Sequence, residues 1–324
     1  MDFTLTDDQQ LLRDTAHRLL AIECPPSLIR AHIDDRASAD PLWRHLAGWT
    51  ELGGGPLVDL CLFLEETGRV LAPGPFFATT VLWQPLANAI AAEPSTVGTV
   101  ALAGASGAWQ VNSEPVKTFV LDADRVEQLA FVLSGPSVAV VDASRISLRL
   151  VETVDSSRRI FEARVPDNVT GDSINPSVID DLLERAWVAL SAELVGTARW
   201  LLDMTVAYAK ARVQFDRPIG SFQAVQHKLA DMALGVERAW AATYYAAMTI
   251  DAGDPDRRRA AHVAKASATA AAHRAAKDAI QIHGGIGFTW ENDLHLWMRR
   301  AFASEALFGS RDWHHDRLAD LLLV

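Results

Sequence analysis

The chain has 324 residues, 49% hydrophobic and 22% charged, with 30 Lys+Arg against 41 Asp+Glu for a net charge of −11. That length supports a large core and more than one domain, and the ordinary charge content excludes wholesale disorder. The negative balance excludes a general nucleic-acid binder and leaves room only for a local basic pocket. Two cysteines, Cys24 and Cys61, make neither a disulfide framework nor a metal cluster, which fits a reducing cytosol. The N-terminal stretch has acids where a signal peptide needs a basic patch. The alanine-rich run 266–272 is broken by His273, Arg274 and Lys277, so no uninterrupted apolar span of membrane length exists there. The expectation is a soluble cytoplasmic protein.

The first zone, 1–95, reads as helical. Thr6 and Gln9 have capping-box spacing, and Leu12, Ala16, Leu19 and Leu20 then repeat on one face until Pro25-Pro26. Leu57–Leu71 predicts a second helix with Glu65, Glu66 and Arg69 on its wet side, ended by Pro73-Gly74-Pro75, and Thr79–Ile90 resumes helical character. The second zone, 96–172, changes period. Val100–Leu102, Thr118–Leu121, Ala130–Leu133, Val138–Val141, Ile146–Val151 and Ile160–Val165 are short strand-like runs between turn residues, predicting a small antiparallel barrel or sandwich.

The third zone, 173–324, is helical again. Asn175 and Pro176 open a long helix that meets no breaker but Gly196 before Ala211. Pro218-Ile219-Gly220 predicts a turn, and Ser221 starts a helix running to about Ile250. Asp254-Pro255 precedes a third helix ended by Gly284-Gly285. A fourth is expected from Thr289 or Trp290, and Ser310 is placed to cap a last short one. The fold class is therefore mainly α with a small β domain, in the order helical domain, β domain, four-helix bundle.

Two bundle segments carry more than composition. In Arg212–Met232, Arg212 sits at a helix end and Arg217 in the following turn, two guanidiniums suited to phosphate. Phe215 offers an aromatic face, and Gln223 lies in the first turn of a helix, where backbone N–H groups favour an anion. In Gln281–Arg300, Gly284-Gly285 lets the backbone approach a ligand, with Gln281 one turn earlier. Each segment alone also admits a plain reading: the arginines as cations at a helix C-terminus, the glycines as a C-cap.

Taken together, the segments and the element order resemble the acyl-CoA dehydrogenase family over nearly the whole chain. The family's R-x-x-F-x-x-x-I-x-x-F-Q stretch matches Arg212, Phe215, Ile219, Phe222 and Gln223. Its Q-x-x-G-G-x-G-F/Y stretch matches Gln281, Gly284, Gly285, Gly287 and Phe288. The resemblance implies that Arg212, Phe215, Gln223, Gln281, Ile282, His283, Gly284 and Gly285 bind FAD, gripping the pyrophosphate and adenosine of a cofactor held mainly by a neighbouring subunit. It also implies an acyl-CoA substrate and electron-transfer flavoprotein as electron acceptor. Asp216 stands where the family usually has Gly, a charge that Arg217 is placed to offset.

Two larger departures shape the functional expectation. The family's T-E-P-x-A-G-S-D-like stretch, which contacts the flavin ring, has no counterpart between Ala92 and Lys117; Asn112-Ser113-Glu114-Pro115 reads as a loop. The reaction the resemblance implies removes a proton α to the thioester, which needs a positioned carboxylate. The position matching the usual late glutamate is Phe308, followed by Gly309, and the early alternative is Ala186. Glu184 lies on the wrong helical face. Glu305 lies one turn before Phe308 if the helix continues, with the plainer reading of a solvated acid or a partner for Arg299 or Arg300. His314 and His315 read as surface residues.

The catalytic residue therefore stays unassigned. The leading expectation is a base-lacking, FAD-gripping subunit paired with a longer acyl-CoA dehydrogenase chain, as in some actinobacterial enzymes for bulky steroid-derived CoA thioesters. The alternatives are a self-sufficient homomeric enzyme using Glu305, and a flavin-free scaffold of the same fold.

Overall fold

A computed structural model describes residues 3–323. Thr6 and Gln9 form the expected reciprocal capping box at the start of α1 (Asp7–Glu23), and Pro26 occupies the first position of α2 (Pro26–Asp34). After α3 (Asp40–Leu46) comes α4 (Leu57–Val70), which runs through the middle of the molecule. The sequence pattern puts Glu65 and Glu66 on a wet face, and the structure corrects this. Both are buried, because α4 packs against α1, α6 (Pro176–Ala211) and α7 (Gln223–Asp251) at once.

Burial leaves both acids paired: Glu65 with Arg199 at 2.9 Å and Glu66 with His17 Nδ1 at 2.8 Å. Burial pushes the Glu65 carboxyl up, with Arg199 opposing it. Leu71 in the left-handed region ends α4 ahead of Pro73. A π-type turn (Ala78–Trp83) then leads into α5 (Gln84–Ala89).

Seven strands follow: β1 (Gly98–Ala101), β2 (Val116–Leu121), β3 (Gln128–Leu133), β4 (Ser137–Asp142), β5 (Leu148–Val151), β6 (Ile160–Arg164) and β7 (Asp172–Ser173). They form two sheets, ordered β1-β3-β4-β7 and β2-β6-β5. All neighbours are antiparallel except β1 and β3, so the expected antiparallel sandwich contains one parallel pair. Side chains alternate across β3. Leu129 and Phe131 pack with Val120, Phe161 and Ala163 of the second sheet, whereas Ala130 and Val132 join the helical core.

The bundle comprises α6, α7, α8 (Arg257–His283), α9 (Leu294–Ala303) and α10 (Arg311–Leu322). One continuous apolar core runs from Ala16 through α4 to Phe308, so the first and third zones are packed as one body. The α6–α7 connection is a hairpin of β8 (Val213–Gln214) and β9 (Arg217–Pro218) rather than a simple turn at Pro218. The expected start of α9 at Thr289 or Trp290 moves to Leu294, because 284–288 forms a 3₁₀ turn first. Among the described residues, no helix is long and apolar enough to cross a membrane.

Gly196, the lone breaker of the α6 pattern, has a packing reason. A Cβ there would lie 1.8 Å from the Glu65 carbonyl oxygen, and one on Gly68 would lie 2.0 Å from the Glu193 carbonyl oxygen. The two glycines let α4 and α6 touch backbone to backbone, and the Thr197 hydroxyl donates to the Gly68 carbonyl across the same crossing at 3.2 Å. Gly196→Ala and Gly68→Ala are each expected to cost about 1–3 kcal/mol, at the upper end because rigid backbone must yield. Gly235→Ala, whose Cβ would meet only Ala271 at 3.9 Å, should be nearly silent or mildly stabilising in the same denaturant melts.

Candidate functional site

Arg212 is the C-cap of α6. Its backbone N–H donates to Tyr208 O at 2.8 Å and its carbonyl accepts from Ile219 N at 2.8 Å, closing the hairpin. The two-residue loop is Phe215 and Asp216, both left-handed at φ 54° and 61°, the signature of a type I′ turn. Asp tolerates that conformation and Phe does not, at a cost of about 1–2 kcal/mol. The strained turn holds the Phe215 ring 87% exposed. Arg217 does not offset Asp216 or join Arg212: its guanidinium lies over the Phe222 ring at 4.1 Å. The Arg212 guanidinium has no acid partner among the described residues. Gln223 opens α7, whose N-cap Phe222 supplies no side-chain cap.

The second segment lies alongside. Gln281 is exposed, Ile282 half-buried and His283 buried at the end of α8. His283 Nδ1 donates to Ala279 O at 2.8 Å, its ring stacks on Tyr208 at 4.2 Å, and the Tyr208 hydroxyl donates to the His283 carbonyl at 3.5 Å. Burial pushes the His283 pKa down, with the Ala279 bond opposing. The His283 side chain thus holds the motif in shape from within. Tyr208, absent from the sequence reading, joins the two motifs; its only signal was a place one helical turn before Arg212. Gly284 sits at φ 65°, and a Cβ on Gly284 or Gly285 would meet nothing within 4 Å, so bare backbone faces open space.

This donor set fits the pyrophosphate–adenosine half of FAD. It combines an unpartnered guanidinium, an uncapped helix start, two exposed carboxamides, bare glycine backbone and an exposed ring. The exposed apolar side chains Phe215, Ile286, Phe288 and Trp290 cluster in the same two segments.

The two positions matched to a catalytic base are closed. Ala186 is fully buried in α6. Phe308 is buried and left-handed (φ 58°), with Gly309 after it at φ 103°. Trp109 packs on Phe308 with centroids 4.4 Å apart, Phe77 lies 6.1 Å away on another side, and the Trp109 indole donates to Ala306 O at 3.3 Å. Trp109 comes from 92–117, the segment that lacks the flavin-ring stretch.

The nearby acids each have a basic neighbour. The α9 helix stops at Ala303, so Glu305 is not one helical turn before Phe308. It pairs with His273 at 3.3 Å rather than with Arg299 or Arg300. Glu184 is buried beside Arg257 at 3.2 Å. His314 is fully buried, not at the surface: its Nδ1 lies 2.8 Å from His262 Nδ1 and its Nε2 3.2 Å from Phe308 O.

Lys265 supports the loop that carries Phe308. Fully buried, it donates to Gly309 O at 3.1 Å, Glu305 O at 3.5 Å and the Thr269 hydroxyl at 3.2 Å, with no carboxylate among these bonds. Burial lowers its pKa to about 7, with the Glu305 charge opposing. An unfolded lysine titrates near ~10.4. The unfolded chain therefore binds more protons between those values, and stability from this group rises as pH climbs from about 7 to about 10. Urea melts across that window should show the rise in the native chain and a flatter profile in Lys265→Met.

Comparison with known proteins places this geometry. The model of the acyl-CoA dehydrogenase C-terminal domain matches residues 177–323. Acyl-CoA dehydrogenase IpdE2 of Mycobacterium tuberculosis is 34% identical over 320 residues, covering 95% of each chain. Acyl-CoA dehydrogenase FadE34 of the same organism is 32% identical over 94% of this chain but only 47% of its own length. The solved structure of a variant of the Tcur3481-Tcur3483 steroid ACAD superposes with a TM-score of 0.86 at 28% identity over 99% of both chains. The chain belongs to the acyl-CoA dehydrogenase family. It is an oxidoreductase of that class, with FAD as its cofactor.

Proposed function

We propose that this chain is the FAD-gripping, base-lacking subunit of a heteromeric acyl-CoA dehydrogenase, assembled with a longer subunit as a heterotetramer. The observation that carries this is Trp109 packed on Phe308 at 4.4 Å, which fills the place of a base with two aromatic rings. In the assembly, Arg212 and the start of α7 at Gln223 bind the pyrophosphate. Gln281, Ile282, His283, Gly284 and Gly285 would line the adenosine side with amide and backbone groups, with the exposed Phe215 ring available beside them. FAD supplies the two-electron acceptor for α,β-oxidation of the thioester. The proton is taken by a carboxylate of the partner, and electrons leave to electron-transfer flavoprotein.

Two comparisons support the pairing. The Tcur3481-Tcur3483 enzyme is named for two components, and FadE34 is about twice as long as this chain, room for two such units in one protein. The first is also named a steroid enzyme, which supports a bulky steroid- or lipid-derived CoA thioester as substrate.

Flavin absorbance of the chain purified alone and co-purified with a longer dehydrogenase subunit tests the reading. The expected result is FAD bound only in the co-assembled sample, with as many flavins as partner chains. FAD bound by this chain alone, with turnover, overturns it.

A further inference from the structure

The helices α6 and α8 pack side by side, and their C-terminal ends meet, with Tyr208 in the last turn of one and His283 the last residue of the other. Tyr208 touches both motifs. Its carbonyl accepts from the Arg212 N–H at 2.8 Å, and its ring stacks on the His283 ring at 4.2 Å with 20° between the planes. Its hydroxyl donates to the His283 carbonyl at 3.5 Å. That carbonyl is one of the last of α8, where the helix itself supplies no donor.

Each motif is seated on this pair of residues. On the first side, a Cβ on Gly220 would stand 3.1 Å from the Ala209 carbonyl oxygen, so the turn after the hairpin rests directly on the residue next to Tyr208. On the second side, 284–288 folds back over His283: a Cβ on Gly287 would stand 3.2 Å from His283 Cβ and 3.4 Å from Ile280 Cδ1. The bond from His283 Nδ1 to Ala279 O fixes the imidazole from within α8. The stacked rings therefore set how far Arg212 stands from the Gly284–Gly285 backbone. Tyr208 itself is half-buried rather than part of the buried core, so exchanging it leaves the packing of the core in place.

We propose that Tyr208 is a positioning residue that makes this chain selective for a flavin dinucleotide. It acts through Arg212 and His283 rather than on the cofactor itself. It fixes the spacing between a guanidinium suited to the pyrophosphate and a bare backbone suited to the adenosine, so that both engage one ligand without further ordering. A mononucleotide flavin has no adenosine and one phosphate fewer, and gains nothing from that spacing. This inference rests on the assignment of the two motifs to FAD.

The test has two arms. In the purified chain, the Cε1–H resonance of His283 should carry the ring-current shift of the Tyr208 ring, keep it in Tyr208→Phe and lose it in Tyr208→Leu. In the flavin-stripped assembly that the chain forms, with a longer subunit or with itself, FAD and FMN affinities are measured for the same proteins. Tyr208→Leu should weaken FAD about 5- to 20-fold, the combined value of an aromatic contact and one net hydrogen bond. FMN should change by less than about 2-fold, since it does not use the fixed spacing. Tyr208→Phe keeps the stack and loses only a long hydrogen bond, so its FAD affinity should stay within about 3-fold of native. Should Tyr208→Leu fail to fold, Tyr208→Met takes its place with the same expected losses. An unshifted His283 resonance in the native chain, FAD affinity unchanged once the stack is lost, or FAD and FMN weakened equally overturns the proposal. FAD affinity that falls in Arg212→Ala and not in Tyr208→Leu removes Tyr208 alone, whereas affinity level in both removes the assignment of the motifs as well.

Discussion

Arg300→Met is expected to destabilise the fold by about 3–5 kcal/mol, the usual cost of removing one partner from a buried ionic network. Arg300 is 1% exposed and reaches Asp155 at 2.5 Å, Glu193 at 2.9 Å and the Ser157 hydroxyl at 2.8 Å; Arg158 also pairs with Glu193. It joins α9, α6 and the loop before β6, so its loss removes a polar tie between the β sandwich and the bundle, strands the Asp155 carboxylate in the core and leaves Glu193 with Arg158 alone. Burial alone would push the Asp155 carboxyl up; the Arg300 charge and the Ser157 hydroxyl outweigh it and hold it below its ordinary value. A carboxyl depressed in the fold contributes stability above its unfolded pKa of ~3.9 and loses it as pH falls through the folded value. Denaturant melts should therefore show a large gap between native and Arg300→Met at neutral pH that narrows only in strong acid. A gap under about 1 kcal/mol would mean that the network is energetically idle.

The second large effect is at the cofactor. Arg212→Ala should weaken FAD retention in the assembled enzyme roughly 10- to 100-fold, the range of a charge-assisted hydrogen bond worth about 1.5–3 kcal/mol. Arg212→Lys should recover only part, since an ammonium lacks the planar fork. If Arg212 serves only as a cation at the C-terminus of α6, the pattern inverts. Flavin content then stays level across the three proteins, and melting temperature falls modestly in Ala and returns in Lys. Bound FAD and thermal stability measured on the same samples separate the two.

What was legible in the sequence was local. The Thr6 capping box, the Asn175-Pro176 start, the Ser310 cap and every major strand are set by neighbours a few residues away, and they stand as expected. Glu65 and Glu66 misled because their partners, Arg199 and His17, are 134 and 49 residues distant, and nothing local announces that three helices close over α4. His314 misled in the same way: its burial follows from His262 and the Phe308 carbonyl. At the candidate site the two motifs were legible as segments, but their junction through Tyr208 and His283 was not. Phe308 and Ala186 were legible as the residues standing at the two matched base positions. That Trp109, 199 residues before Phe308, would pack against it required the fold.

The measurement that bears most directly on the account is turnover by this chain alone. Purified without a partner and supplied with FAD and an electron acceptor, it should dehydrogenate no member of a broad panel of acyl-CoA thioesters, because neither Phe308 nor Ala186 can take a proton. Activity should appear when the longer subunit is added. Robust turnover by the lone chain would contradict the account, and its loss in Glu305→Gln would name the carboxylate responsible.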